Sequence, residues 1–349
     1  CNQDLVSSKT ENQIGFSIDK KNISVLGTGG WGTALAILLH ENQHHVFLWG
    51  ATPDYVEFLK KKRENTKYLQ GITIPSDLTI TSNIEDALNN SNFIVLAIPT
   101  PYVRTILEKS KNHFVSGTPI VSVIKGIENE TLMRSSEILT DILGKQPIAI
   151  LSGPSHAEEV AKKLPTTVVV ASEDMELAKE IQNIFMTKRF RVYTNPDVIG
   201  VEMGSSLKNV IAIAAGICDG LGFGDNSKAA LLTRGLSEII RLGVAMGGQR
   251  NTFSGLTGLG DLITTCFSPF GRNRFVGEQI AKGKKLPQLL KEMNQVAEGI
   301  QTTKSVCKLA TKYHVEMPIT YEIYKVLFED KEAMTAVNEL MVREPKSEI

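Results

Sequence analysis

Between residues 22 and 195 the chain alternates short apolar runs, rich in β-branched residues, with longer stretches of helical periodicity. Eight of these runs read as strands: 23–26, 45–49, 78–81, 93–98, 119–124, 148–151, 167–171 and 190–193. Several are apolar without interruption, as strands covered on both faces are, and the segments between them are long enough for crossover helices. That pattern predicts a doubly wound, mostly parallel α/β sheet of the Rossmann type. Beyond residue 197 the periodicity is helical throughout, with segments at 198–219, 229–246, 274–282, 287–292, 303–313, 319–328 and 333–341. A chain of 349 residues also exceeds the size at which one core stops growing. The expected organisation is a polar tail over 1–20, without periodicity and read as flexible, then a domain built on this sheet over 21–196 and a helical domain over 197–349.

Lysine plus arginine balance aspartate plus glutamate at 38 each, so no global field draws the chain to nucleic acid or to an anionic membrane. Any anion site must be local. Cys1, Cys218, Cys266 and Cys307 are scattered, with no CxxC pair and no histidine at ligand spacing, so neither a disulfide nor a bound metal is expected. The first twenty residues lack an apolar leader core and no stretch approaches 18 consecutive apolar residues, which reads as a cytoplasmic protein without membrane insertion.

The first predicted strand runs into Gly27-Thr28-Gly29-Gly30-Trp31-Gly32 and then a helical segment, which is the strand–turn–helix context a GxGxxG pattern requires. Gly27 suits the tight turn, Gly29 the close approach of backbone to a pyrophosphate, and Gly32 close packing of helix on strand, while N–H groups at the helix start hold the anion. A glycine-rich turn without a nucleotide, or a methyltransferase-like sheet holding another adenosine ligand, would share this loop. After the second strand, Trp49-Gly50-Ala51-Thr52-Pro53-Asp54 offers neither a well-placed acid nor a base to read the adenosine ribose, so NAD and NADP both stay open. Asp54, following Pro53, reads as a helix-start residue.

Ligands of such sheets sit beyond the carboxyl ends of the strands. Lys125-Gly126 stands at one of those ends and suits contact with an anion; Ser152-Gly153-Pro154-Ser155 stands at another. Ser155 with Glu158 makes an S-x-x-E capping pattern, whose default role is to start a helix, although that helix start could face the ligand. Further on, Lys208 is the one basic residue between Arg191 and Lys228, in a run over 204–216 that otherwise reads as buried helix. Its face carries Gly204, Ser205, Ala212, Ala215 and Gly216. An ammonium against an apolar wall must be paired or lose basicity, the state in which lysines exchange protons in active sites; a stem snorkelling to water is the alternative. Asp261, after the glycines of 255–260, could orient a lysine or simply cap a helix. Arg272 and Asn273 offer N–H donors suited to phosphate, with Arg274 as a solvated neighbour.

Taken in order, these segments resemble the bacterial glycerol-3-phosphate dehydrogenases over nearly everything after the tail. The segments are Gly27 to Ala34, Lys125-Gly126-Ile127-Glu128, Leu151-Ser152-Gly153-Pro154-Ser155, Gly200-Val201-Glu202 with Leu207-Lys208-Asn209, Gly258-Leu259-Gly260-Asp261, Arg272-Asn273-Arg274, Val296 with Glu298-Gly299, and Arg343-Glu344-Pro345-Lys346. The resemblance implies an oxidoreductase that interconverts sn-glycerol 3-phosphate and dihydroxyacetone phosphate with NAD or NADP, supplies phospholipid synthesis and works as a homodimer. It implies that Lys208 exchanges the proton, with Lys125 and Asp261 catalytic beside it. Gly153, Ser155, Gly271, Arg272 and Asn273 would surround the small phosphorylated substrate. Gly30, Trp31, Lys125, Ala157, Arg272, Val296 and Glu298 would flank the cofactor, beside Gly27, Gly29 and Gly32. This chain departs from the pattern at Gly30 and Gly271, where serines are common, and at Ala51, where many relatives carry a basic or imidazole side chain. A related β-hydroxyacid or keto-acid dehydrogenase and a non-catalytic dinucleotide sensor are the alternative readings.

Overall fold

The computed structural model describes residues 10–11, 17–293, 296–345 and 347–348. Eight strands build one sheet: β1 (Asn22–Leu26), β2 (His45–Trp49), β3 (Thr79–Thr81), β4 (Phe93–Leu96), β5 (Ile120–Ser122), β6 (Ile148–Ser152), β7 (Thr166–Ala171) and β8 (Phe190–Asn195). They are the eight runs expected from the sequence, with ends moved by a residue or a few. Their spatial order is β8-β7-β6-β5-β4-β1-β2-β3. β1 to β6 are parallel, whereas β7 pairs antiparallel with β6 and β8 runs parallel to β7. Along β1, Ile23 and Val25 enter the core on one face of the sheet and Leu26 that on the other, following the two-residue period of a strand.

The winding reverses between β1 and β4, so the carboxyl ends of those two strands open the crevice at which such sheets hold ligands. Gly27, directly after β1, has φ +129°, and a Cβ on it would stand 2.4 Å from the Ala97 carbonyl oxygen after β4. The turn is closed too tightly for any other residue. It feeds α1 (Gly30–Glu41), and β2 feeds α2 (Pro53–Lys62), with Pro53 and Asp54 in the first turn as expected. Two hairpins add to the sequence reading. Thr10–Glu11 pairs with Ser17–Ile18 inside the stretch read as a tail, and Glu64–Asn65 pairs with Leu69–Thr73 beside the glycine loop. Residues 1–9 and 12–16 of that tail, Cys1 included, and Lys346 lie outside the described residues.

After β8 the chain is helical. α3 (Val198–Gly220) is long and apolar enough to cross a bilayer, but it is buried from Gly200 to Cys218 under its neighbours and forms the axis of a second core. α4 (Asp261–Phe267), α5 (Arg272–Ala281) and α6 (Glu298–Lys312) pack around it. A Cβ on Gly216 would lie 1.8 Å from the Arg274 carbonyl oxygen, and one on Gly277 would lie 1.9 Å from that of Ile213. The α3–α5 crossing is therefore backbone against backbone, closer than side chains on either helix would allow. Of the small residues on the Lys208 face, Gly216 serves this approach, whereas a Cβ on Gly204 would stand 2.8 Å from the Thr257 carbonyl oxygen. Residues 250–260, not read as helical from the sequence, form a short helix (Arg250–Phe253) and a π-helical turn (Leu256–Gly260) that leads into α4. Glu202 of α3 ties the helix to the segment after β5, accepting from Arg134 Nη1 at 2.5 Å, Ser135 Oγ at 2.7 Å and the Ser136 N–H at 2.9 Å.

Candidate active site

A cleft of about 700 Å³ runs from the glycine loop, past the end of β5, to α3, α4 and α5. Lys208 rises from the middle of α3 and is 4% exposed; Asp261, in the first turn of α4, is 1% exposed. Their side chains meet. Lys208 Nζ donates to Asp261 Oδ1 at 2.6 Å and to Thr265 Oγ1, one turn further along α4. Lys125 Nζ, from the end of β5, donates to Asp261 Oδ2 at 3.0 Å, to the Gly153 carbonyl at 2.9 Å and to Ser155 Oγ at 3.4 Å. One carboxylate thus bridges two ammoniums, each oxygen taking one.

The electrostatics follow from burial. Desolvation lowers Lys208 to about 8, with the nearby Lys125 charge adding to the shift and Asp261 opposing it. Burial pushes the Asp261 carboxyl up, but the Lys125 and Lys208 ammoniums outweigh it and hold the group below the ordinary carboxylate range. Asp261 is therefore a fixed anion and Lys208 a weakened cation, poised near neutral pH. The ammonium of Lys208 does not snorkel to water, and the Asp261 side chain caps no helix. Nor do Ser155 and Glu158 form a capping box, because His156 is the residue before the helix Ala157–Ala161 and the Ser155 hydroxyl turns back to the Gly153 carbonyl at 3.0 Å.

The other expected residues line the same cleft. Gly271, Arg272 and Asn273 stand at the start of α5, with Arg272 exposed to the cavity and donating to the Val296 carbonyl at 3.2 Å. Asn273 is more committed than its sequence suggests: its Nδ2 donates to Asn209 Oδ1 at 3.0 Å and its Oδ1 accepts the Gly299 N–H at 3.0 Å. Asn209 in turn donates to the Lys125 carbonyl at 2.9 Å, so a chain of amides runs from the end of β5 through α3 and α5 to α6. Asn209 and Thr265 were not singled out from the sequence, although both sit within motifs whose neighbours were. His156 was also missed. Burial, then the Lys208 and Lys125 charges, lower it to about 4, so it is neutral beside the two lysines.

The glycine loop end of the cleft suits a dinucleotide. A Cβ on Gly29 would meet nothing within 4 Å, so the backbone there faces open space, and Trp31 Nε1 is a buried donor with no partner among the described residues. The start of α1, with its unpaired N–H groups, opens on that space. Glu298 closes the other side of the channel, accepting from the Thr100 N–H at 3.3 Å and its hydroxyl at 3.1 Å; burial raises its carboxyl. Val296 and Ala157 line the wall with it. At Gly30 a Cβ would stand 2.6 Å from the Tyr68 carbonyl, so a serine there could enter only if the hairpin of 64–73 moved away.

A Rossmann-type glycine loop and a paired lysine–aspartate–lysine cluster in one cleft define a dinucleotide-dependent dehydrogenase. The family models sharpen that class: residues 22–178 match the N-terminal and residues 197–338 the C-terminal model of NAD-dependent glycerol-3-phosphate dehydrogenase. The chain belongs to that family. It is 52% identical over 329 residues to the glycerol-3-phosphate dehydrogenase [NAD(P)+] of Fusobacterium nucleatum, covering 94% of this chain and 98% of the relative. It is 49% identical to that of Bacillus pumilus, over 93% of this chain and 94% of the relative. Among solved structures, glycerol-3-phosphate dehydrogenase from Coxiella burnetii superposes with a TM-score of 0.90 at 37% identity, over 93% of this chain and 99% of that one.

Proposed function

We propose that this chain interconverts sn-glycerol 3-phosphate and dihydroxyacetone phosphate with NAD or NADP, Lys208 exchanging the proton on the C2 oxygen. The observation that carries the assignment is how the two ammoniums are committed. An ammonium has three donors. Among the described residues Lys125 directs its three at Asp261, Gly153 and Ser155, whereas Lys208 directs two at Asp261 and Thr265 and keeps one for a substrate. Lys208 is also the group whose basicity burial has brought close to working pH, as a proton-transfer residue needs.

When bound, the nicotinamide supplies or takes the hydride at C2. In the reducing direction, the free N–H of Lys208 faces the carbonyl oxygen, stabilises alkoxide character as it develops and then passes the proton. Asp261 keeps the ammonium aimed, and Lys125 adds positive potential beside it. Arg272 supplies a guanidinium for the phosphate, with the second Nδ2 hydrogen of Asn273 next to it. Residues 21–196 form the dinucleotide-binding domain and 197–349 the substrate and catalytic domain, with Lys125 and Ser155 reaching the substrate from the first and Val296 and Glu298 flanking the cofactor from the second. On this reading the enzyme is a cytoplasmic homodimer, without membrane insertion, that supplies glycerol 3-phosphate for phospholipid synthesis. The reading as a keto-acid dehydrogenase gives way, since relatives about half identical over nearly the full length are glycerol-3-phosphate dehydrogenases by name.

The test is oxidation of NADH and of NADPH, followed by absorbance, with dihydroxyacetone phosphate set against carboxylate keto acids. The expected result is turnover with the phosphate substrate. Faster turnover of a keto acid, or none with either, would overturn the reading.

A further inference from the structure

The hairpin Glu64–Asn65/Leu69–Thr73 belongs to neither the glycine loop nor the lysine cluster, yet it is laid across the loop so closely that Gly30 has no room for a Cβ. Asn65 holds it there. The side chain is wholly buried, and all four of its hydrogen-bonding positions are filled. Nδ2 donates to the Thr28 carbonyl at 3.0 Å and to Thr33 Oγ1 at 2.8 Å. Oδ1 accepts from the Tyr55 hydroxyl at 2.6 Å and from the Tyr68 N–H at 3.1 Å. One amide therefore joins the hairpin, α2, α1 and the second residue of the glycine loop.

The bond to Thr28 has a directional consequence. In a trans peptide the C=O and the following N–H point to opposite sides of one plane. Pinning the Thr28 oxygen toward Asn65 turns the Gly29 N–H the other way, away from the hairpin. Gly29 has no Cβ to restrict the plane, and without the pin the Thr28–Gly29 peptide could turn and present its carbonyl oxygen to the cleft. An oxygen there would repel a pyrophosphate.

We infer that Asn65 is a positioning residue for the cofactor: by locking the Thr28–Gly29 peptide it sets the affinity for the dinucleotide while leaving the chemical step alone. The inference rests on the dinucleotide part of the proposed function and not on the identity of the substrate.

Asn65→Asp keeps the size of the side chain but replaces both donors with an oxygen facing the Thr28 carbonyl. NADH and NADPH dissociation constants are measured on the full chain by fluorescence titration without substrate, followed by kcat at saturating cofactor. The expected result is a rise of about tenfold or more in both dissociation constants, with kcat within about threefold of wild type. Both cofactors should weaken alike, because they share the pyrophosphate. Tyr55→Phe, which removes a hydrogen bond from the far end of the same amide, should lower the melting temperature and leave both constants within about threefold. A folded Asn65→Asp with wild-type affinity overturns the inference, as does a Tyr55→Phe that weakens binding equally, since either outcome means general loosening. Should Asn65→Asp not fold, Asn65→Ser, too short to reach Thr28, carries the same test with the same thresholds. A wild-type protein that binds both dinucleotides but does not turn over dihydroxyacetone phosphate sinks the substrate reading and leaves this inference standing.

Discussion

Asp261→Asn removes the charge that the active site is built around while keeping its shape. In the native site Asp261 lies 2.6 Å from Lys208 Nζ and 3.0 Å from Lys125 Nζ, with Asp261 and Lys208 buried and Lys125 partly buried. Breaking a buried pair by neutralising one partner costs about 3–5 kcal/mol, because the remaining charge is left uncompensated. Lys208 can escape that penalty by losing its proton. If about 3 kcal/mol falls on its ionisation, the protonated form is disfavoured by roughly a hundredfold. Starting from about 8, the protonated fraction at pH 7.5 then falls from about three-quarters to about one part in thirty. Reduction of dihydroxyacetone phosphate should slow by about 25-fold on this ground alone, before any loss of aim. The assay is kcat/KM for reduction from pH 6 to 9 at saturating NADH. The variant should regain part of its activity toward pH 6, and its high-pH limb should move to the acid side of the wild-type limb. A variant that loses activity with its limb unmoved would refute the electrostatic account, and one with near-normal turnover at pH 7.5 would remove Asp261 from the mechanism.

For the wild-type enzyme the sign can be worked out directly. Reduction needs protonated Lys208, so its kcat/KM should fall through about pH 8, whereas oxidation needs the neutral amine and should rise through the same region; parallel profiles for the two directions would contradict the assignment. Lys208→Met should fold and bind NADH, and should lose about 10²–10⁴ in kcat, measured by single-turnover reduction. Gly277→Ala places a methyl group where the Ile213 carbonyl sits 1.9 Å away, so it should lower unfolding stability in urea by about 1–3 kcal/mol through the displaced α3–α5 crossing. An unchanged midpoint would mean that the two helices separate freely.

How much of this was legible beforehand depended on whether a feature is local in the chain. β1 to β8 were readable because strands covered on both faces are apolar without interruption, and such runs stand out against amphipathic helices. Their direction was not: β7 is as apolar as β6, and periodicity has no sign, so the antiparallel pairing of these two strands had no signal in the residues. The helix that begins at Asp261 was hidden by Gly255, Gly258 and Gly260, which weaken any helical reading; Gly258 is needed because a Cβ there would stand 2.0 Å from the Phe253 carbonyl oxygen. In the active site the residue types were informative and the contacts were not. Lys125, Lys208 and Asp261 stand 83 and 53 positions apart in turn, and no periodicity joins a strand end to two helices; the order of the family's motifs suggested the meeting, and the side chains now show which ammonium keeps a free donor. Asn65 marks the opposite limit. A polar residue in a short polar stretch, it reads as surface in the sequence, and it is buried because four partners from four elements satisfy it completely. A residue of that kind can be found only after the fold has placed its partners, and it is also the kind whose loss the rest of the site cannot absorb.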